Sequence, residues 1–365
     1  MVKIREVTTF LEEIAPPAYQ ESYDNAGLIT GHPETEVSGV LVSLDAIESV
    51  IDEAIAQGCN LVVAHHPIIF KGLKSLTGKN YVERTVIKAI KNDIAIFAIH
   101  TNLDHVFRGV NRKICEKIGL HSLHILAPKT DTLTKLVTFV PVGDTDRVVS
   151  ALSEAGAGVI GNYTKCSFQV AGTGTFEPNE QAHPHIGKHN QLERVEEKRV
   201  EMIFPKPLSS RVLQALRQAH PYEEVAYYLH DLENENPEVG AGMMGELEKA
   251  MEGQEFLHHL KKSMALQCIR HTRLLGKKVK KVAVCGGAGS FLLGAAIRQG
   301  ADVFVTSDFK YHEFFDADGK ITIADIGHYE SEVFTKELLG NLLSEKFVTF
   351  AVHLAKTVTN PVFYF

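Results

Sequence analysis

Two adjacent histidines, His65 and His66, stand at the end of the apolar run Leu61-Val62-Val63-Ala64 and are followed by Pro67. A short run of this kind suits a buried parallel strand. Neighbouring residues in a strand point to opposite faces, so two imidazoles cannot serve one pocket from inside a regular strand. Proline removes a ladder donor and biases the residue before it to extended backbone, which predicts that the strand breaks at the pair. From a broken strand end the rings can splay toward two neighbouring points of one crevice. That geometry suits metal binding, and two ions better than one. An isolated His-His more often has one buried and one solvated ring with structural duties, so further residues must support the reading.

Two further fragments do so. His328 and Glu332 are four apart, and on a helix that spacing brings imidazole and carboxylate to one point. Asp104 closes the segment His100-Thr101-Asn102-Leu103-Asp104. Singly, the first reads as a surface pair and the second as a turn. Together, His65, His66, Asp104, His328 and Glu332 supply the donor types preferred by zinc, iron(II) and manganese. A bridging carboxylate would hold two ions ~3.5–4 Å apart, the two-metal hydrolytic arrangement. His100 and His312 are candidates for general acid/base work or for orienting a ligand. Lys310 and Tyr311 are candidates for holding an anionic substrate. Asp24 and Asn25 read first as turn formers, with substrate contact the alternative, and Asp45 as a helix N-terminal residue, with support of a metal ligand the alternative.

These residues need a frame that gathers them. Strands are expected at 39–44, 61–64 and 94–99, with helices at 47–57 and 81–92 between them. After residue 237, strands are expected at 279–285, 302–306, 321–325 and 348–352. Strand–helix–strand alternation predicts a parallel α/β sheet with right-handed crossovers, whose ligands gather beyond the carboxyl ends of the strands. Asp45, His65, His66, His100 and Asp104 all fall at or past such ends. Between the halves, strands near 136–140, 166–175, 193–204 and 225–230 alternate with helices at 145–156 and 207–219. That order, β-α-β-β-α-β, is the ferredoxin-like split motif. The fold class is therefore α/β: a discontinuous sheet domain, 1–129 and 234–365, interrupted by an inserted α+β domain at 130–233.

Gly286-Gly287-Ala288-Gly289-Ser290 lies between an expected strand and helix, where backbone N–H groups can cradle a phosphate. Asp308 lies about 20 residues on, as in a dinucleotide fingerprint. The third glycine is missing, its place taken by Leu292. A tight strand-to-helix turn that meets at most a substrate phosphate is the better expectation. His183, His185 and His189 are irregularly spaced among polar residues and read as a solvated loop.

A chain of 365 residues with net charge -7 is long enough for two domains and does not carry a nucleic-acid footprint. Its five cysteines are scattered without a C-x-x-C pair, which fits buried thiols in a reducing compartment. The N-terminus lacks the apolar core of a signal peptide, and no apolar run approaches the ~20 residues of a membrane span. A cytoplasmic protein is expected.

The chain resembles the YbgI/YqfO-like dinuclear-metal proteins, commonly labelled homologues of type 2 GTP cyclohydrolase 1. The matching stretches run from end to end: Tyr23 to Leu28, Leu61 to Phe70, His100 to Asp104, Ser307 to His312 and Gly327 to Glu332. The family's metal ligands carry over onto His65, His66, Asp104, His328 and Glu332. The resemblance implies two divalent ions per subunit, zinc first with iron or manganese as alternatives. It implies a homohexameric toroid of trimers and hydrolytic opening of the guanine ring of GTP, a nucleotide substrate. It also implies that the insert is PII/CutA-like. Many relatives carry Trp where this chain has Tyr23; the chain has no Trp. Two other functions fit the same residues: a phosphoesterase, or a metal-dependent regulatory or scaffold protein without turnover.

Overall fold

The computed structural model describes residues 1–365. The chain divides into two compact units, one of residues 1–128 with 237–365 and one of residues 129–236.

The first unit carries two sheets. Strands of the first lie in the order Gly27–Thr30, Ala95–Ala98, Leu61–His66, Gly39–Asp45, Ala351–Leu354. The last four run parallel and the first antiparallel. In the second sheet Val279–Ala288, Val303–Ser307 and Thr322–Asp325 are parallel neighbours. Arg270–His271 and Asn236–Met251 flank them antiparallel, and Leu120–Lys129 lies outermost. Val40, Leu41, Val42, Leu61, Val62 and Val63 are all fully buried, as expected of parallel strands covered on both faces.

Helices follow the same economy of apolar faces. Ile4–Ile14 buries Ile4, Val7 and Leu11 at helical spacing. Val110–Ile118 ends on Gly119 at φ 83, whose N–H returns to the Cys115 carbonyl. A left-handed residue there closes the last turn, which glycine does without a Cβ clash.

Tyr81–Lys91 is preceded by a loop that Glu83 ties down. The Thr77 N–H and hydroxyl and the Lys79 N–H all donate to Glu83 Oε2, at 2.9, 3.0 and 3.3 Å. The Glu83 N–H in turn donates to the Asn80 side chain at 2.9 Å. These bonds, the Thr77 N–H first, hold the Glu83 carboxyl down at about 2 from its usual 4.5. Such a group stabilises the fold above its unfolded pKa and loses that contribution as pH falls. Glu83→Gln should therefore flatten the acid limb of the unfolding midpoint between about pH 4.5 and pH 2. A chevron-free urea titration at stepped pH reads this; an unchanged slope would show that Glu83 does not anchor the loop.

The second unit is the ferredoxin-like insert. Its antiparallel sheet runs Phe168–Phe176, Glu193–Pro205, Leu133–Pro141, Tyr227–Leu232. Thr145–Glu154 and Ser209–Ala219 are its helices. Val148, Leu152, Val212 and Leu216 from the helices share a core with Leu136, Val200, Met202 and Phe204 from the sheet.

Several expected boundaries shift. The strand at residue 61 does not break before the histidines but runs through His66, paired with Asp45. The strand at 279 continues across Gly286 and Gly287 to Ala288, so the expected tight turn narrows to Gly289, ahead of the helical turn at Ser290–Leu292. The final strand is Ala351–Leu354, in place of 348–352. Four strands had no sequence expectation: Gly27–Thr30, Leu120–Lys129, Asn236–Met251 and the short Arg270–His271.

Candidate metal centre

The centre forms where strand ends of the first sheet meet the helix His328–Glu332. His65 and His66 are the last two residues of their strand, with ring centroids 4.9 Å apart and planes inclined by 47°. His65 is wholly buried. Its Nδ1 lies 2.8 Å from the Ile99 carbonyl. A carbonyl only accepts, so the proton sits on Nδ1 and Nε2 presents a lone pair. That Nε2 lies 3.5 Å from Asp104 Oδ1 and 3.9 Å from Glu332 Oε1.

His66 and His328 are oriented the same way by carboxylates. His66 Nδ1 donates to Asp45 Oδ1 at 2.8 Å, and His328 Nδ1 to Asp308 Oδ2 at 2.6 Å. Their Nε2 atoms converge on Glu332 Oε2, at 2.9 and 3.1 Å. Glu332 is buried, and its two oxygens thus face different histidines. Thr359 donates to the other oxygen of Asp45.

The donors form three close groups: His65, Asp104 and Glu332; His66, His328 and Glu332; and His65, His66 and His100. His65 Nε2 and Asp104 Oδ1 are buried with no hydrogen-bond partner. Two unpaired acceptors facing each other are costly unless a cation lies between them. The donor set suits zinc, iron or manganese, and its histidines are braced through Nδ1 as metal-ligating histidines are. The residues fit a metal centre.

Electrostatics show how the metal-free centre balances its charges. Burial, reinforced by the Glu332 charge, pushes Asp104 up to about 7. Burial also opposes ionisation of Glu332, but the imidazoles of His328, His65 and His66 outweigh it and hold that carboxyl well below its usual range. Burial alone would lower His66, yet Asp45 and Glu332 push it up to about 10. His328 is raised to about 11 against the same burial by Asp308 and Glu332. Imidazolium protons stand in for cations here, and a metal would displace them.

His100 lies beside this group, its ring 5.3 Å from those of His65 and His66. Its Nδ1 donates to Asp24 Oδ1 at 2.8 Å, while Asp24 Oδ2 accepts from the Thr101 N–H and hydroxyl at 3.0 and 2.5 Å. Those bonds overcome the effect of burial and hold Asp24 below the ordinary carboxylate range. His312 is not gathered with the others. It is exposed on the turn Tyr311–Ala317, stacked on Phe315 at 6.3 Å, and it does not line the cavity. That turn directs Ala317 and Phe314 inward and leaves Tyr311, His312 and Phe315 outside. Lys310 and Tyr311 are exposed on the same stretch. The expected acid/base role of His312 and the anion-holding role of that pair find no support in the site of this chain.

The bracing carboxylates are the part of the centre that the sequence marks least. Asp45 reads first as a helix start with ligand support only as the alternative, Asp24 first as a turn former, and Asp308 only through its distance from the glycine-rich stretch. A usable signal was present: Asp45 ends one strand, and Asp308 immediately follows another. Gly287 and the stretch from Thr359 to Tyr364 also contribute, without any sequence cue. Asp308→Ala should weaken metal binding by roughly 10- to 100-fold, because His328 loses the group that fixes its tautomer. Competition against a chromogenic chelator measures this; unchanged affinity would show that Asp308 is a bystander.

The centre lies in a cavity of about 1120 Å3 lined also by Tyr23, Phe70, Phe291, Tyr329 and Tyr364. The expected phosphate-meeting turn has its first N–H groups engaged: Gly286 donates to Asn111 Oδ1 at 2.9 Å and Gly287 to Ser331 Oγ at 3.0 Å. No helix is long and apolar enough to cross a membrane.

Comparison with known proteins extends over the whole chain. The family profile Duf34/NIF3 (NGG1p interacting factor 3) matches residues 2–361. A GTP cyclohydrolase 1 type 2 homolog of Halalkalibacterium halodurans is 42% identical over 361 residues, covering 97% of each chain. Its namesake from Bacillus subtilis is 38% identical over 362 residues, covering 98% of this chain and 97% of that one. Among solved structures, the Bacillus cereus protein related to NIF3 superposes with a TM-score of 0.89 at 39% identity, covering 100% of this chain and 99% of that chain.

Proposed function

The chain belongs to the Duf34/NIF3 family, and on that premise we propose that it is a metal-dependent hydrolase with a two-cation centre. The observation that supports this most is Glu332, whose Oε1 faces His65 while Oε2 faces His66 and His328. One buried carboxylate shared between two histidine groups is the donor pattern of a paired-metal site. His65 and Asp104 would serve one position, His66 and His328 the other, and Glu332 both. Zinc is the first choice, with iron or manganese as alternatives.

Bound divalent cations would supply Lewis acidity and a water of lowered pKa. The rest of the chemistry falls to the chain. Asp45, Asp308 and the Ile99 carbonyl each fix a histidine through Nδ1–H, so that Nε2 faces inward. Asp24 fixes His100 in the same tautomer, leaving its Nε2 to accept a proton and return it to the leaving group. The relatives' name directs the first assays to GTP, with ring opening as the reaction and phosphoester cleavage as the alternative.

Metal content and turnover of the purified protein with GTP and a generic phosphodiester provide the test. Chelation and His66→Ala should each abolish turnover. Activity that survives both would refute the hydrolase reading. The homohexamer and the cytoplasmic location implied by the resemblance belong to the same proposal, and light scattering tests the first.

A further inference from the structure

We infer that the metal-centre cavity selects its substrate through a flat, weakly charged fused ring and does not recognise a phosphate chain. This rests on the hydrolase reading and names the substrate class of the same site. The cavity, at about 1120 Å3, exceeds what a metal centre alone requires and matches the size of pockets for ligands of cofactor dimensions. Its walls carry ring faces that folding left uncovered: Tyr23 is 69%, Phe70 51% and Phe291 69% exposed. Exposed aromatic rings gathered around one concavity suit the stacking of a planar ligand. Phe70 stands nearest the chemistry, its ring 5.8 Å from that of His100.

The lining offers nothing to hold a phosphate chain. No lysine lines the cavity, and its one guanidinium, Arg270, is already engaged by Asp325, the Phe309 carbonyl and the Phe314 ring. Beyond the metal set and its braces, the lining adds carboxylates with partners of their own: Glu21 beside His105, Asp325 beside Arg270 and Glu330 accepting from Asn360. The backbone amides of Gly286 and Gly287, near the end of the glycine-rich strand beside the centre, are donated to Asn111 and Ser331. A phosphoryl group could meet the cations, but each phosphate beyond it would find no lysine and no unengaged guanidinium on the cavity wall to receive it. A neutral fused-ring amide needs no such partner.

Isothermal titration of the full chain loaded with zinc tests this against guanosine, GMP, GDP and GTP, with protein-bound zinc assayed throughout so that only binding to the loaded site is counted. Guanosine should bind, and neither GDP nor GTP should bind more tightly than GMP. Phe70→Leu, which keeps an apolar side chain and removes the ring, should weaken guanosine by roughly tenfold or more. Tenfold tighter binding of GTP than of GMP would overturn the inference, as would failure of guanosine to bind or indifference to Phe70→Leu. Binding as expected with no turnover of any compound would instead refute the hydrolase reading and leave the ring selection standing.

Discussion

Glu332→Gln is expected to weaken metal binding at both positions of the centre together, by roughly 100-fold or more at each, beyond the loss that removing a mere supporting partner brings. The substitution keeps the size and shape of a side chain that is 3% exposed and removes only its charge. One amide end would turn an N–H toward either His65 or the His66–His328 pair, and a donor there repels a cation. Since Oε2 is 2.9 Å from His66 and 3.1 Å from His328 while Oε1 lies on the His65 side, neither position is spared. His65→Ala and His328→Ala should each impair one position. Metal analysis after dialysis against a graded chelator distinguishes these patterns. If Glu332→Gln loses no more metal than either histidine variant, the carboxylate is not shared.

Gly287→Ala should have the second-largest effect, from outside the donor set. Gly287 has φ +61, and a Cβ built there meets Glu332 Oε1 at 2.5 Å and His328 Cε1 at 3.3 Å. The left-handed backbone alone costs an L-residue about 1–2 kcal/mol. The collision is with a buried carboxylate held by three imidazoles, so relief would come by displacing the group on which the centre depends. Gly300→Ala is the control: its φ is +76 and its Cβ meets nothing within 4 Å. Both variants should lose similar stability in urea, and only Gly287→Ala should lose metal. Equal metal retention would mean that Glu332 has room to move.

The cluster that could hold a metal was legible because each fragment carries its own spacing: adjacent histidines after an apolar run, and a histidine and a glutamate one helical turn apart. The ferredoxin-like insert was legible from its order of strands and helices. The reading was weaker where partners are far apart in sequence. Asp45 meets His66 across 21 residues and Asp308 meets His328 across 20, and no local pattern marks an aspartate as a brace. Asn236–Met251 escaped notice because its glycines and charges do not alternate like a strand; Gly240 and Gly245 instead let the Leu120–Lys129 strand approach closely. His312 shows the opposite limit: its neighbours Lys310 and Tyr311 look chemical in sequence, but the turn presents all three outward, away from the centre.

The strand that carries Asp45 has Leu61–His66 on one side and Ala351–Leu354 on the other. Synthesis runs from the N-terminus at about 5–20 residues per second, so the strand emerges roughly 15–60 s before the one that covers its second edge. Until then Gly39–Asp45 is an open, apolar sheet margin, a surface on which nascent chains aggregate. The hydroxyl that steadies Asp45 comes later still, 314 residues downstream. A chain stalled before residue 328 would hold His65 and His66 but not the helix His328–Glu332 that completes their candidate cation site. The donor cluster is therefore complete only once translation has passed residue 332, and fragments released earlier should emerge without it.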